Sequence, residues 1–130
     1  MNEPGYLFDT GALLDIYHGR ERIRPYFDGI LDGSLTVCIS PISEAELWLG
    51  LRPDELERHE SLLAFFVVLP LVSAAGRLAG QWMKHYQAQG LGWMDALLAA
   101  TAANAGLALL TRDRRLAGLL SAEAEFVTYG

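Results

Sequence analysis

Residues 6–17, Tyr6-Leu7-Phe8-Asp9-Thr10-Gly11-Ala12-Leu13-Leu14-Asp15-Ile16-Tyr17, open with three apolar residues, end that run on a carboxylate, and continue into a helix beginning near Gly11. A short apolar run bounded in this way reads as a buried strand. The succession recurs along the chain. Leu35–Ile39, Phe66–Leu69, Leu107–Leu110 and Phe126–Thr128 read as further strands, and helical patterns fill the intervals. One helix spans Arg22–Leu31. A third follows Ser40-Pro41, which supplies an N-cap and a first-turn proline, and a fourth follows Arg52-Pro53. Others cover Ala74–Gln89, Met94–Ala105 and Asp113–Leu120. Strands alternating with helices predict a parallel sheet, because parallel neighbours need crossover connections. The expected class is α/β, three-layered, with helices on both faces of the sheet.

The chain has 130 residues, of which 52% are hydrophobic and 20% charged. That suits one compact domain over residues 1–130 and is too apolar for a disordered chain. No repeat or linker interrupts it, and Gly90-Leu91-Gly92 reads as a hinge between two helices. The amino terminus lacks the pattern of a secretion signal, so a cytoplasmic location is expected. The long uncharged stretch from His85 to Thr111 is broken by Gly90, Gly92 and several polar residues, which argues against a membrane span. The single cysteine, Cys38, lies in an apolar run, cannot form an internal disulfide and reads as a buried small hydrophobe.

Two strands end in an acidic residue: Asp9 directly follows Phe8, and Asp113 follows Leu109-Leu110-Thr111-Arg112. Open α/β sheets bind ligands at the carboxyl ends of their strands, so the two carboxylates converge if the strands are neighbours. Either Asp also serves as a helix N-cap. Asp95 is the only formal charge in the 27 residues from His85 to Thr111. It reads as a ligand whose desolvation a divalent cation offsets, with a helix N-cap as the alternative. In the helix after Ser40, periodicity turns either Glu44 or Glu46 toward the strand ends but does not choose between them. Ser43 and Glu46 also match a capping box if that helix begins three residues later.

Four gathered carboxylates repel one another unless a cation or a shared proton intervenes. Oxygen ligands suit Mg²⁺ or Mn²⁺. His18, His59 and His85 lack ligand spacing and are expected at the surface or partly buried, and no Cys/His set suggests zinc. The net charge of −6 does not exclude a nucleic-acid partner: of 16 acidic residues four are these candidates, leaving 12 against 10 basic. Arginines also cluster at 20, 22 and 24 and at 112, 114 and 115.

The ordered set LFDTGALLDIY, SEAELWLGL, MDALLAATA and LLTRD resembles the PIN-domain ribonucleases, in particular the VapC-type toxins of bacterial and archaeal toxin–antitoxin pairs, and the match spans nearly the whole chain. The resemblance implies a sheet of about five parallel strands in the order 3-2-1-4-5. It implies a metal site of Asp9, Glu46, Asp95 and Asp113, so it selects Glu46 over Glu44, and it offers Thr10 and Thr111 as polar neighbours of that site. It further implies an endoribonuclease that uses Mg²⁺ or Mn²⁺, a homodimer, and a cognate VapB-type antitoxin. Gly11 departs from the Asn or Ser frequent at that position, which affects a hydrogen bond around the site but removes no ligand. Trp93 and the Arg112, Arg114 and Arg115 group are candidates to stack on or clamp an RNA strand, Trp93 equally for the core or a dimer contact. Leu47, Trp48, Leu49 and Leu51 are candidates to line an antitoxin groove. Two other readings compete: a PIN-like module that binds RNA or protein without cutting, and, from Asp9-Thr10-Gly11, a retroviral-type aspartic protease, which would be almost entirely β.

Overall fold

The computed structural model describes residues 4–130; residues 1–3, on which part of the leader reading rests, lie outside the described residues. Five strands form one sheet: β1 (Pro4–Phe8), β2 (Thr36–Ile39), β3 (Val67–Val68), β4 (Ala108–Thr111) and β5 (Phe126–Thr128). Every pairing is parallel and the order is β3-β2-β1-β4-β5, as expected. The helices among the described residues are α1 (Thr10–Tyr17), α2 (Arg24–Leu31), α3 (Pro41–Leu49), α4 (Leu56–Leu63), α5 (Ser73–Tyr86), α6 (Trp93–Asn104) and α7 (Arg114–Leu119). This helical, all-parallel architecture excludes the aspartic protease. No helix of the described residues is long and apolar enough to cross a membrane.

Alternation along each strand divides the core into two layers. Leu7, Cys38 and Leu109 face α5, α6 and α7, where Ala79, Trp82, Ala99 and Leu116 meet them. Phe8, Val37, Ile39 and Leu110 face the other way, against Leu13 and Ile16 of α1, Ile30 of α2 and Phe66. Cys38 is 1% exposed, and burial pushes its thiol pKa up, so it behaves as the expected buried hydrophobe.

Differences from the expected boundaries have local causes. Pro25 in the first turn of α2 confines the preceding Glu21–Ile23 to a separate 3-10 turn, because proline admits no carbonyl partner one turn earlier. The helix expected through Gln89 gives way after Tyr86 to a 3-10 turn that ends at Gly90, with φ +100°. Leu91 is then buried in the core and Gly90 carries Arg115 on its carbonyl, which pins this connection. β3 is two residues long, although Leu69 still donates to the Ile39 carbonyl at 2.8 Å before Pro70 ends the pairing. His59 corrects another expectation, since it is fully buried at 1% exposure.

Candidate metal centre

Because β1 and β4 are adjacent, their carboxyl ends bring Asp9 and the Thr111–Asp113 turn together. Asp9 caps α1: Oδ1 accepts from the Ala12 amide at 2.8 Å. Oδ2 accepts from the Thr111 hydroxyl at 2.5 Å. The same hydroxyl oxygen accepts from the Asp113 amide at 3.0 Å, and Asp113 in turn caps α7 through Leu116. One fully buried threonine therefore sets the separation of two carboxylate-bearing turns. Capping leaves each carboxylate with unused lone pairs, so the cap and ligand readings of Asp9 and Asp113 are compatible.

Glu46 arrives from α3. Ser40 is the N-cap of that helix, accepting from Ile42 at 3.0 Å with Pro41 in the first turn. Ser43 lies inside the helix, so the later start and its capping box are overturned. Thr10 donates to Glu46 at 2.6 Å, and its oxygen also lies 3.0 Å from the hydroxyl of fully buried Ser43. The single Thr10 proton is already given to Glu46, so Ser43 donates to Thr10. This relay from buried Ser43 orients Glu46 toward the Asp9 turn; the sequence pattern had offered Ser43 only as a helix cap.

Asp95 sits in the first turn of α6, whose N-cap is Gly92; the cap reading of Asp95 is therefore overturned. Its carboxyl is half-buried. Burial raises its pKa first, and the negative charges of Asp113 and Glu46 raise it further, against the opposing charge of Arg115. Asp9 is likewise raised, first by burial and then by Asp95, although its bonds from Thr111 and Ala12 and the charge of Arg112 work the other way. Asp95 thus feels all three other carboxylates.

The donor set is oxygen only, which fits a hard divalent cation. Among the described residues, no three His, Cys, Asp or Glu side chains stand close enough to enclose one ion as they are. A cation that keeps most of its waters and is held by one or two carboxylates needs no closed cage, and the unrelieved repulsion around Asp95 favours its entry.

Of the three arginines near Asp113, two are engaged elsewhere. The Arg112 Nε lies 3.1 Å from Asp15 of α1. Arg115 rests on the carbonyls of Gln89 and Gly90, both at 3.4 Å. Arg114 is exposed and has no hydrogen bond or ion pair among the described residues. Asp15, 3% exposed, is a functional candidate that the sequence reading missed. Its signal was a lone charge in the apolar run Ala12–Tyr17. Burial alone would raise its pKa, but hydrogen bonds from Arg22 and Tyr129 and the charges of Arg112 and Arg22 hold it below the ordinary carboxylate range.

A PIN domain match spans residues 6–119. The chain belongs to the PIN-domain family. Solved structures similar to this PIN domain include the DNA-bound VapBC of Salmonella typhimurium, with TM-score 0.80, 25% identity, and 97% of this chain and 98% of that chain covered. FitAcB of Neisseria gonorrhoeae gives TM-score 0.73 and 25% identity over 93% and 95% of the two chains. A toxin–antitoxin complex of Klebsiella pneumoniae shares the fold at TM-score 0.77 and 23% identity, covering 95% and 97%. A comparison with curated proteins finds no match.

Proposed function

We propose that the chain, as one PIN domain over residues 1–130, is a VapC-type toxin: a Mg²⁺- or Mn²⁺-dependent endoribonuclease neutralised by a cognate VapB-type antitoxin. What supports this reading is the electrostatic coupling of four carboxylates from four segments: burial and the charge of Asp95 destabilise Asp9 as an anion, and burial with the charges of Asp113 and Glu46 destabilises Asp95. Asp9, Glu46, Asp95 and Asp113 would hold the cation, which when bound would supply Lewis-acid activation of water and phosphate. Thr111 aligns Asp9 with the Asp113 turn, Thr10 aligns Glu46, and one of the carboxylates would accept the single proton released at the attacking water. Trp93, 52% exposed and two residues from Asp95, offers a stacking face for an unpaired base. Arg114, unpaired among the described residues, is the member of its group most available to phosphate.

The partner reading rests on a cleft of about 170 Å³ between α1, α3 and α4, lined by Leu14, Tyr17, Glu46, Leu47, Leu51 and His59 among others. Beside it Trp48 and Leu49 are 53% and 91% exposed, while Leu47 turns into the core. Buried His59 stacks on Tyr17 and bonds to its hydroxyl through Nδ1, which leaves Nε2 with no partner among the described residues. An antitoxin segment laid along this cleft would cover the apolar side chains. A homodimer is supported by a second apolar patch at the open sheet edge: Phe65, Val67, Val68, Leu71 and Val72 are each more than two-fifths exposed. A cytoplasmic location accords with an RNA substrate.

The open spacing of the carboxylates favours one other reading, a PIN module that binds RNA without cutting it. Cleavage of pooled total RNA with Mg²⁺ or Mn²⁺, read at nucleotide resolution beside EDTA and Asp95→Asn controls, decides between them. Asp95 caps no helix, so its amide variant tests the charge alone. The nuclease reading expects cutting lost in both controls, by about 100-fold or more for the variant. Identical RNA profiles for wild type and variant transfer the assignment to the binding module.

A further inference from the structure

Asp15 is the only charge in α1, and its burial requires every lone pair to find a donor. The donors come from three distant segments. Tyr129, just past β5, donates its hydroxyl to Oδ2 at 2.8 Å. Arg22 donates Nε to Oδ2 at 3.0 Å and Nη2 to Oδ1 at 3.2 Å. Arg112, between Thr111 and Asp113, completes an ion pair with Oδ2 at 3.1 Å. Tyr129 also donates its amide to the Thr111 carbonyl at 3.3 Å.

The turn that carries Asp113 is therefore tied to α1 at two heights. Thr111 binds Asp9 at the helix N-cap, and Arg112 pairs with Asp15 six residues on, roughly 9 Å further along the axis. A single tie sets a distance and leaves a swivel; two ties spaced along one helix also set an angle. Asp113 is exposed, so its placement depends on the backbone of this turn. We propose that Asp15 is a positioning residue of the acidic centre, which acts through Arg112 to fix the Asp113 turn against Asp9. The inference rests on the metal-site reading above.

The test compares Asp15→Asn, Arg112→Gln, Arg112→Lys and Arg22→Gln by two readouts: amide hydrogen exchange of the metal-free protein and Mn²⁺ affinity of the folded protein. Asp15→Asn and Arg112→Gln are expected to speed exchange at residues 112–116 by about tenfold while Leu109 and Leu110 stay protected, and to weaken Mn²⁺ binding by about 10–100-fold. Combining Asp15→Asn with Arg112→Gln in one protein should be no worse than Asp15→Asn alone, and Arg112→Lys should recover part of both losses. Arg22→Gln removes two bonds from the same carboxylate without touching the turn, so both readouts should stay within about twofold of wild type. Wild-type values in Arg112→Gln, or equal effects of Arg22→Gln and Arg112→Gln, overturn the proposal. If Asp15→Asn fails to fold, Arg112→Gln still decides, since Arg112 is partly exposed and its loss leaves Asp15 with Arg22 and Tyr129. Failure of the wild type to bind Mn²⁺ refutes the metal reading, whereas the exchange readout tests the positioning without metal.

Discussion

Replacing Thr111 with Val keeps shape and burial at the junction of β4 and the Asp113 turn and deletes only the hydroxyl. Two hydrogen bonds go with it, one donated to the Asp9 carboxylate and one accepted from the Asp113 amide. A bond to a charged group contributes about 1.5–3 kcal/mol and one between neutral partners about 1 kcal/mol. The added methyl in a fully buried position returns up to about 0.8 kcal/mol. The net loss is about 2–3 kcal/mol, which for a chain of this size lowers Tm by roughly 10 °C. Urea unfolding should show a lower midpoint with an unchanged slope. Because the Thr111 bond lowers the Asp9 pKa against the effect of burial, its removal also moves the onset of Mn²⁺ binding to higher pH. Thr111→Ser, which keeps the hydroxyl, should bind Mn²⁺ with the wild-type pH profile. A Thr111→Val protein within about 0.5 kcal/mol of wild type, with an unaltered Mn²⁺ pH profile, would refute the threonine's coupling role.

The raised pKa values of Asp9 and Asp95 predict how metal-free stability varies with pH. A group whose folded pKa lies above its unfolded value contributes stability below the unfolded value, near pH 4, and that contribution is lost as pH rises through the folded value. Metal-free protein should therefore lose this contribution above pH 4, and the rise in Tm on adding Mn²⁺ should be larger at pH 7 than at pH 4.5. An equal rise at both, measured by calorimetry, would detach the cation from these carboxylates. Gly90→Ala should cost about 1–2 kcal/mol, because φ is +100° there and an added Cβ would stand 3.0 Å from Arg115 Nη1. Denaturant unfolding with no loss of stability would show that this turn relaxes freely.

The sheet was legible because its signals are local. A buried parallel strand must be apolar on both faces, so Tyr6–Phe8 and Leu107–Leu110 stand out, and Ser40-Pro41 marks a helix start without any tertiary information. The same locality made Asp9 and Asp113 visible as acidic residues at strand ends. Glu46 was separable from Glu44 only by family resemblance, since the two point to nearly opposite sides of the helix and periodicity does not say which side meets the strand ends. In the structure its partner is Thr10, 36 residues away, through a proton chain that begins at Ser43.

The sequence by itself determined the α/β class, the order of strands and helices along the chain, and which carboxylates terminate strands, because strand and helix periodicity and capping depend on residues within one turn. Tertiary structure alone decided that Thr111 joins Asp9 to Asp113, that Arg112 pairs with Asp15, and that His59 is buried with a nitrogen unpaired among the described residues. These are contacts across many residues of chain. A hydroxyl or a guanidinium carries no mark of which distant carboxylate it will meet until the sheet has set the distances.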